Sequence, residues 1–178
     1  AGVKLGIVAP DGREAMLQHA RQFKDAGIPF IFDPGQGMPL FSGEELKAFI
    51  DMADWVAVND YESQVLERKT GLSAYEIAAR VKGMIVTWGA KGAVVYADGR
   101  RLDIPAAKAA AVVDPTGCGD AFRAGILYGL LHGLDWETTG QMASLLGAIK
   151  IASRGTQNHR FTRAEFDAQY EKAFGTKL

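Results

Sequence analysis

Four short apolar runs recur through the first half of this chain, the first three each followed by a stretch with helical spacing. That alternation restricts the fold before any single residue is weighed. The runs are Lys4–Ala9, Ile28–Phe32, Trp55–Val58 and Met84–Thr87. Between them, Arg13–Ala26 carries Met16, Ala20 and Phe23 at helical spacing and stops at Gly27, as a helix C-terminus does. Ser42 with Glu45 three residues on has the form of a capping box and opens a helix through Met52. Asp60–Lys69 and Ser73–Val81 read as two further helices. Strands that are apolar on both sides and alternate with helices predict a mostly parallel sheet with helices on both faces. Val94–Ala97 and Arg101–Ile104 flank Asp98-Gly99, a hairpin signal. Helical patterns over Ala121–His132, Trp136–Ala152 and Arg163–Phe174 complete the chain. With no repeat, low-complexity tract or linker, residues 1–178 read as one α/β unit, and this length buries a substantial core.

The chemistry concentrates between Val112-Val113 and the first of those last helices, at Asp114-Pro115-Thr116-Gly117-Cys118-Gly119-Asp120. Glycines let backbone N–H groups crowd together, and a helix start adds unpaired N–H groups and the positive end of its dipole. The combination makes a cradle for phosphate or an oxyanion. A carboxylate at the mouth of such a cradle, here Asp120, would repel an anionic ligand. It makes sense if it takes the proton of a hydroxyl that attacks a phosphoryl group. Ligands of open α/β sheets sit at the C-terminal ends of the strands; Asn59 follows the third predicted strand, Thr87 ends the fourth, and the glycine loop follows Val113.

The bulk properties exclude several partners. A net charge of −1 with 23% charged residues offers no electrostatic attraction for nucleic acid or an anionic membrane. No apolar run is long enough to span a bilayer, and Ala1-Gly2-Val3-Lys4 lacks the pattern of a secretion signal. The single cysteine, Cys118, cannot form an internal disulfide, which suits a cytoplasmic protein. His19, His132 and His159 are too scattered for a metal site.

The glycine loop resembles the C-terminal signature of the ribokinase-like (PfkB) carbohydrate and nucleoside kinases, D-T-x-G-A-G-D. Upstream, Asn59-Asp60-Tyr61-Glu62 resembles the N-x-x-E motif of that family, and Thr87-Trp88-Gly89-Ala90-Lys91-Gly92 its T-x-G-x-x-G segment, in the same order. The resemblance runs over nearly the whole chain. It implies a ribokinase-like fold and an ATP- and Mg²⁺-dependent kinase acting on a hydroxyl of a small-molecule sugar or nucleoside. The resemblance mildly favours an adenosine-kinase-like member, with ribokinase or fructokinase specificity as the close rival. By the same resemblance Asp120 is the base, and the N–H groups of Gly117, Cys118 and Gly119 form the anion hole, with Thr116 beside it. Asn59 and Glu62 position Mg²⁺ through water; Thr87, Gly89 and Gly92 line the nucleotide; Gly155, Thr156, Gln157 and Asn158 lie near the adenine. A monovalent cation is left open, since many relatives use one.

Two departures qualify the match. Cys118 stands where the family usually has alanine; a thiol at a helix start can be acidic, which raises a nucleophilic cysteine as a rival reading. The resemblance also implies that an N-terminal part is missing, with a sugar-binding motif, most of the substrate pocket and a small β lid. The expectation is therefore a C-terminal portion of a kinase domain, with an inert nucleotide-binding fragment as the alternative. An open sheet edge would favour a homodimer. A dinucleotide-binding oxidoreductase would need G-x-G-x-x-G after the first strand, and Ile7-Val8-Ala9-Pro10-Asp11-Gly12 does not supply it. Purely structural readings compete as well. Asp120 would serve as a helix N-cap, Asn59 and Glu62 as a turn residue and a first-turn acid, and Thr87–Gly92 and Asp33-Pro34-Gly35 as turns. Trp55, Trp88 and Trp136 would belong to the core, and His159 to a surface loop.

Overall fold

The computed structural model describes residues 2–178, so Ala1 lies outside the described residues. The chain divides into two compact units, residues 2–88 with 94–102, and residues 89–93 with 103–178.

The first unit is built on a six-stranded sheet, in sequential order β1 (Gly6–Val8), β2 (Phe30–Phe32), β3 (Trp55–Asn59), β4 (Gly83–Thr87), β5 (Ala93–Ala97) and β6 (Arg100–Ile104). β1 to β4 are mutually parallel. The links are α1 (Arg13–Asp25), α2 (Gly43–Met52), and α3 (Asp60–Thr70) with α4 (Ala74–Ala78). Parallel crossovers are right-handed, and each new strand is added on the same side of the last, so all four helices are placed on one face. The core agrees. Val8, Phe30, Phe32, Val56, Val58, Met84 and Val86 form one cluster with Met16, Leu46, Phe49, Leu66 and Ile77 from the helices. Ile31, Ala57 and Ile85 alternate to the other face and are also buried, as expected for parallel strands covered on both sides. β5 and β6 form the predicted hairpin, with both Asp98 and Gly99 at positive φ, 52° and 69°, the geometry that a two-residue turn between right-twisted strands selects.

Local sequence explains most helix ends. Ser42/Glu45, Asn59/Glu62 and Ser73/Glu76 all close reciprocal capping boxes. The expected helix over Ser73–Val81 is only Ala74–Ala78. Asp33-Pro34-Gly35 leads into a 3-10 segment, Gly35–Leu40, rather than a simple turn. The tryptophans also differ from expectation: Trp88 is exposed and neither Trp55 nor Trp136 is fully buried.

The second unit is helical: α5 (Cys118–His132), α6 (Trp136–Ile151) and α7 (Arg163–Phe174). Met142, Leu145, Phe166 and Tyr170 form its core. α5 and α6 pack at glycines: a Cβ on Gly125 would lie 2.5 Å from the Ala143 Cα, and one on Gly129 would collide with Thr139. α5 begins three residues earlier than its apolar pattern suggests, so Cys118, Gly119 and Asp120 form its first turn instead of preceding it. Val112 and Val113 are not a strand. The N–H groups of Val113 and Asp114 instead donate to the last carbonyl of α6, that of Ile151, at 2.9 and 3.1 Å. This satisfies a carbonyl that the helix itself leaves unpaired.

Candidate functional site

In the second unit the glycine loop is a tight turn that launches α5. Gly117 is the N-cap at φ 81°, a left-handed conformation that costs a residue with a Cβ about 1–2 kcal/mol. A Cβ there would also press on Thr156 at 3.2 Å. The Cys118 N–H is committed to the Pro115 carbonyl at 3.1 Å, and the Ala121 N–H to the Gly117 carbonyl at 3.0 Å. Among the described residues, the N–H groups left at this helix start are those of Gly117, Gly119 and Asp120. Cys118 thus shapes the turn, and its N–H is spent inside it. Asp120 is exposed at the third helical position. It is not the N-cap and makes no capping bond, so helix capping does not account for it.

The loop is held from below by a residue to which the sequence assigned no role. The Asp114 carboxylate accepts from the Thr116 N–H at 2.9 Å and from the Gly155 N–H at 2.8 Å. These two backbone donors, Thr116 first, lower its pKa from 3.8 to about 2. The bond to Gly155 brings the predicted adenine loop against the glycine loop. Gly155 and Thr156 therefore join Thr116, Gly117, Gly119 and Asp120 in one place, while Gln157 and Asn158 continue that loop on the exposed side, with the Asn158 amide donating back to the Arg154 carbonyl. His159 is only half-buried, and its Nδ1 is shut off from solvent without a partner.

The pH dependence of this contact follows directly. A depressed carboxylate contributes stability that is complete above its unfolded pKa and is lost as pH falls through the folded one. The Asp114–Gly155 contact should therefore be constant above about pH 4 and fail only from pH 3.8 down to about 2. The Gly155 amide resonance followed by NMR should titrate with a midpoint near 2; a midpoint near 4 would mean that the two donors do not hold the carboxylate.

Cys118 is not set up as a nucleophile. Burial, the main cause, pushes its pKa up, and the positive charge of Lys150 opposes this only in part. The thiolate is the reactive form, so Cys118 in the folded protein should react with a thiol reagent at pH 8 more slowly than free cysteine. A rate equal to or above that of free cysteine would restore the nucleophile reading.

Gly89 opens a short 3-10 turn, Gly89–Lys91, with open space around it. Gly92 is different: a Cβ there would strike the Ile104 carbonyl and the following backbone, so close packing alone requires glycine.

In the first unit Asn59 ends β3 and Thr87 ends β4, and the two are paired in register. The Asn59 Oδ1 accepts from the Glu62 N–H at 2.8 Å, and the Glu62 Oε2 accepts from the Asn59 N–H at 2.7 Å. This is a capping box like those at Ser42 and Ser73, so the spacing by itself needs no ligand. What separates this box from the others is its place at the carboxyl end of a central parallel strand, where α/β sheets bind ligands. The Glu62 Oε1 lies outside the box. Among the described residues no group of three His, Cys, Asp or Glu could hold a metal ion by itself. Mg²⁺ held by one carboxylate, waters and phosphates needs no such group, and this donor set fits that mode.

The chain matches the pfkB family of carbohydrate kinases over residues 2–162. It superposes over 98% of its length on the nucleoside kinase of Burkholderia thailandensis, solved with inosine, with a TM-score of 0.97 and 53% identity, covering 58% of that chain. It is 37% identical over 131 residues to a nucleoside kinase of Methanocaldococcus jannaschii, covering 72% of this chain and 42% of the relative. To a ribokinase of Lactococcus lactis it is 34% identical, covering 81% of this chain and 46% of the relative. The chain spans about half the length of the curated relatives it matches. No helix among the described residues is long and apolar enough to cross a membrane. With a family match across nine-tenths of its residues and a fold shared with nucleoside kinases, the chain belongs to the pfkB family of carbohydrate kinases.

Proposed function

We propose that this chain carries the phosphoryl-transfer half of an ATP-dependent nucleoside kinase. The observation that bears most weight is the start of α5: unspent N–H groups at Gly117, Gly119 and Asp120, with an exposed carboxylate in the same turn that caps nothing. Fixed N–H dipoles stabilise charge where it develops during transfer, and phosphoryl transfer asks mainly for positioning and charge stabilisation. Asp120 accepts the proton of the attacking hydroxyl. The Asp114-bound Gly155 loop, with Thr156 and Gln157, takes the nucleotide base. Glu62, through its Oε1, would hold Mg²⁺ by way of water, and Asn59 keeps Glu62 in place through the capping box. Mg²⁺ held there would supply positive charge to the phosphate oxygens.

Preference for a nucleoside over a simple sugar is supported by the nucleoside kinases among its relatives and by the inosine complex of the B. thailandensis protein. The test is ADP release from MgATP with inosine, adenosine, ribose and fructose offered separately, using the longest form of the protein that can be expressed. Turnover should be fastest with a nucleoside. Faster turnover with ribose or fructose would move the reading to a sugar kinase. Binding of ATP with no acceptor-dependent ADP release would favour the inert nucleotide-binding alternative.

A further inference from the structure

Lys150 is completely buried near the C-terminal end of α6. No expectation from the sequence, and no role proposed above, uses it. Burial of an ammonium is costly unless it is paired and hydrogen-bonded, so a buried lysine asks what its charge is for. Its Nζ donates to two backbone carbonyls, that of Asp114 at 2.7 Å and that of Ser153 at 3.2 Å. Asp114 begins the glycine loop, and Ser153 begins the loop that runs through Gly155–Asn158. One ammonium thus joins the two segments that the phosphoryl and nucleotide chemistry needs in register.

The neighbouring bonds point the same way. The Asp114 backbone N–H is held by Ile151 at the end of α6, its carbonyl by Lys150, and its carboxylate by Gly155 and Thr116. Every polar group of Asp114 is therefore spent on one junction, and Lys150 supplies the only charged donor in it among the bonds described. The cation also sits in the last turn of α6, where the negative end of the helix dipole favours it.

We propose that Lys150 is a positioning residue: its ammonium clamps the Asp114–Asp120 loop to the Ser153–Asn158 loop and so sets the distance between the phosphate cradle and the nucleotide-base site. This rests on the reading of those loops given above. Removing the ammonium leaves two carbonyls unpaired and only the Asp114–Gly155 bond across the junction, so the two loops separate more readily without unfolding α5, α6 or α7.

The experiment compares wild type with Lys150→Met, which keeps the apolar stem of the side chain, and reads two quantities well below the melting temperature. Amide hydrogen exchange at Gly155 and Thr116 should accelerate at least ~10-fold, with the helical amides of α6 and α7 still protected. The dissociation constant for ADP should rise by about tenfold or more, the scale of losing one charged hydrogen bond. Lys150→Ala should recover part of that affinity when methylamine is added, since the freed cavity admits a small cation; a merely space-filling lysine would not show this. Folded Lys150→Met with wild-type exchange at both amides and wild-type ADP affinity overturns the proposal. If Lys150→Met does not fold, Lys150→Gln decides, because it keeps a polar side chain of similar length and removes only the charge that bonds the Asp114 and Ser153 carbonyls. Faster Gly155 exchange and weaker ADP binding then support the clamp, and no change in either overturns it. Failure of wild type to bind ADP, with accelerated exchange in the variant, would sink the nucleotide reading and leave the clamp standing.

Discussion

Replacing Asp120 by asparagine should lower turnover by about a thousandfold, within the range a positioned general base contributes, while leaving ATP affinity nearly unchanged. The position explains why the two effects separate. Asp120 occupies the third residue of α5, not its N-cap, and its side chain makes no capping bond. The substitution preserves shape and leaves the backbone N–H groups of Gly117, Gly119 and Asp120 where they are. Nucleotide binding through that cradle therefore survives. What is lost is the one group at the helix mouth that can accept a proton, since an amide cannot. Phosphate binding should strengthen slightly, because a negative charge beside it has gone. The check is ADP release under saturating acceptor, alongside ATP titration by calorimetry. Turnover within a few-fold of wild type would remove Asp120 from the mechanism.

The second large effect is on stability. Gly125→Ala should cost about 2–4 kcal/mol, at or above the usual range for overpacking a core, although alanine is the better helix former by about 1 kcal/mol. The added Cβ would lie 2.5 Å from the Ala143 Cα, 2.8 Å from its nitrogen and 2.9 Å from its Cβ. These are largely backbone atoms, so no side chain can rotate away, and the helices themselves must part. Because the Asp114 end of the glycine loop hangs from the last carbonyl of α6, parting α5 from α6 also disturbs the cradle. Denaturant unfolding of the variant measures the first effect, and ADP affinity measured under folding conditions measures the second. A variant as stable as wild type would mean that the α5–α6 contact is looser than the 2.5 Å approach indicates.

How much of this was legible in the sequence differs by element, for physical reasons. The Ser42/Glu45 cap, the Asp98-Gly99 turn and the span of α7 were all readable, because each depends on residues within a few positions of one another. The start of α5 was not. Gly117-Cys118-Gly119 has poor helix propensity, and the first turn is helical only because the Pro115 carbonyl holds the Cys118 N–H and Gly117 adopts positive φ. The short α4 lost its expected second half; Arg80 instead donates to Asp51 of α2, at 3.0 Å. Val112 and Val113 carried a strand composition, yet their segment satisfies its N–H groups on a helix end.

The candidate site divides along the same line. The sequence by itself determined which family these motifs belong to, and it carries the glycines and the acid on which the proposed anion cradle and proton acceptor rest, since one short motif holds both. Only the tertiary structure decided which N–H groups remain to donate, and that Asp114 and Lys150 bind the Gly155 loop to the cradle. That last junction depends on residues 36 to 41 positions apart meeting at one helix end. Contacts at that separation leave no periodicity in the chain, because they are set by how α5 and α6 pack at Gly125 and Gly129 rather than by any local preference.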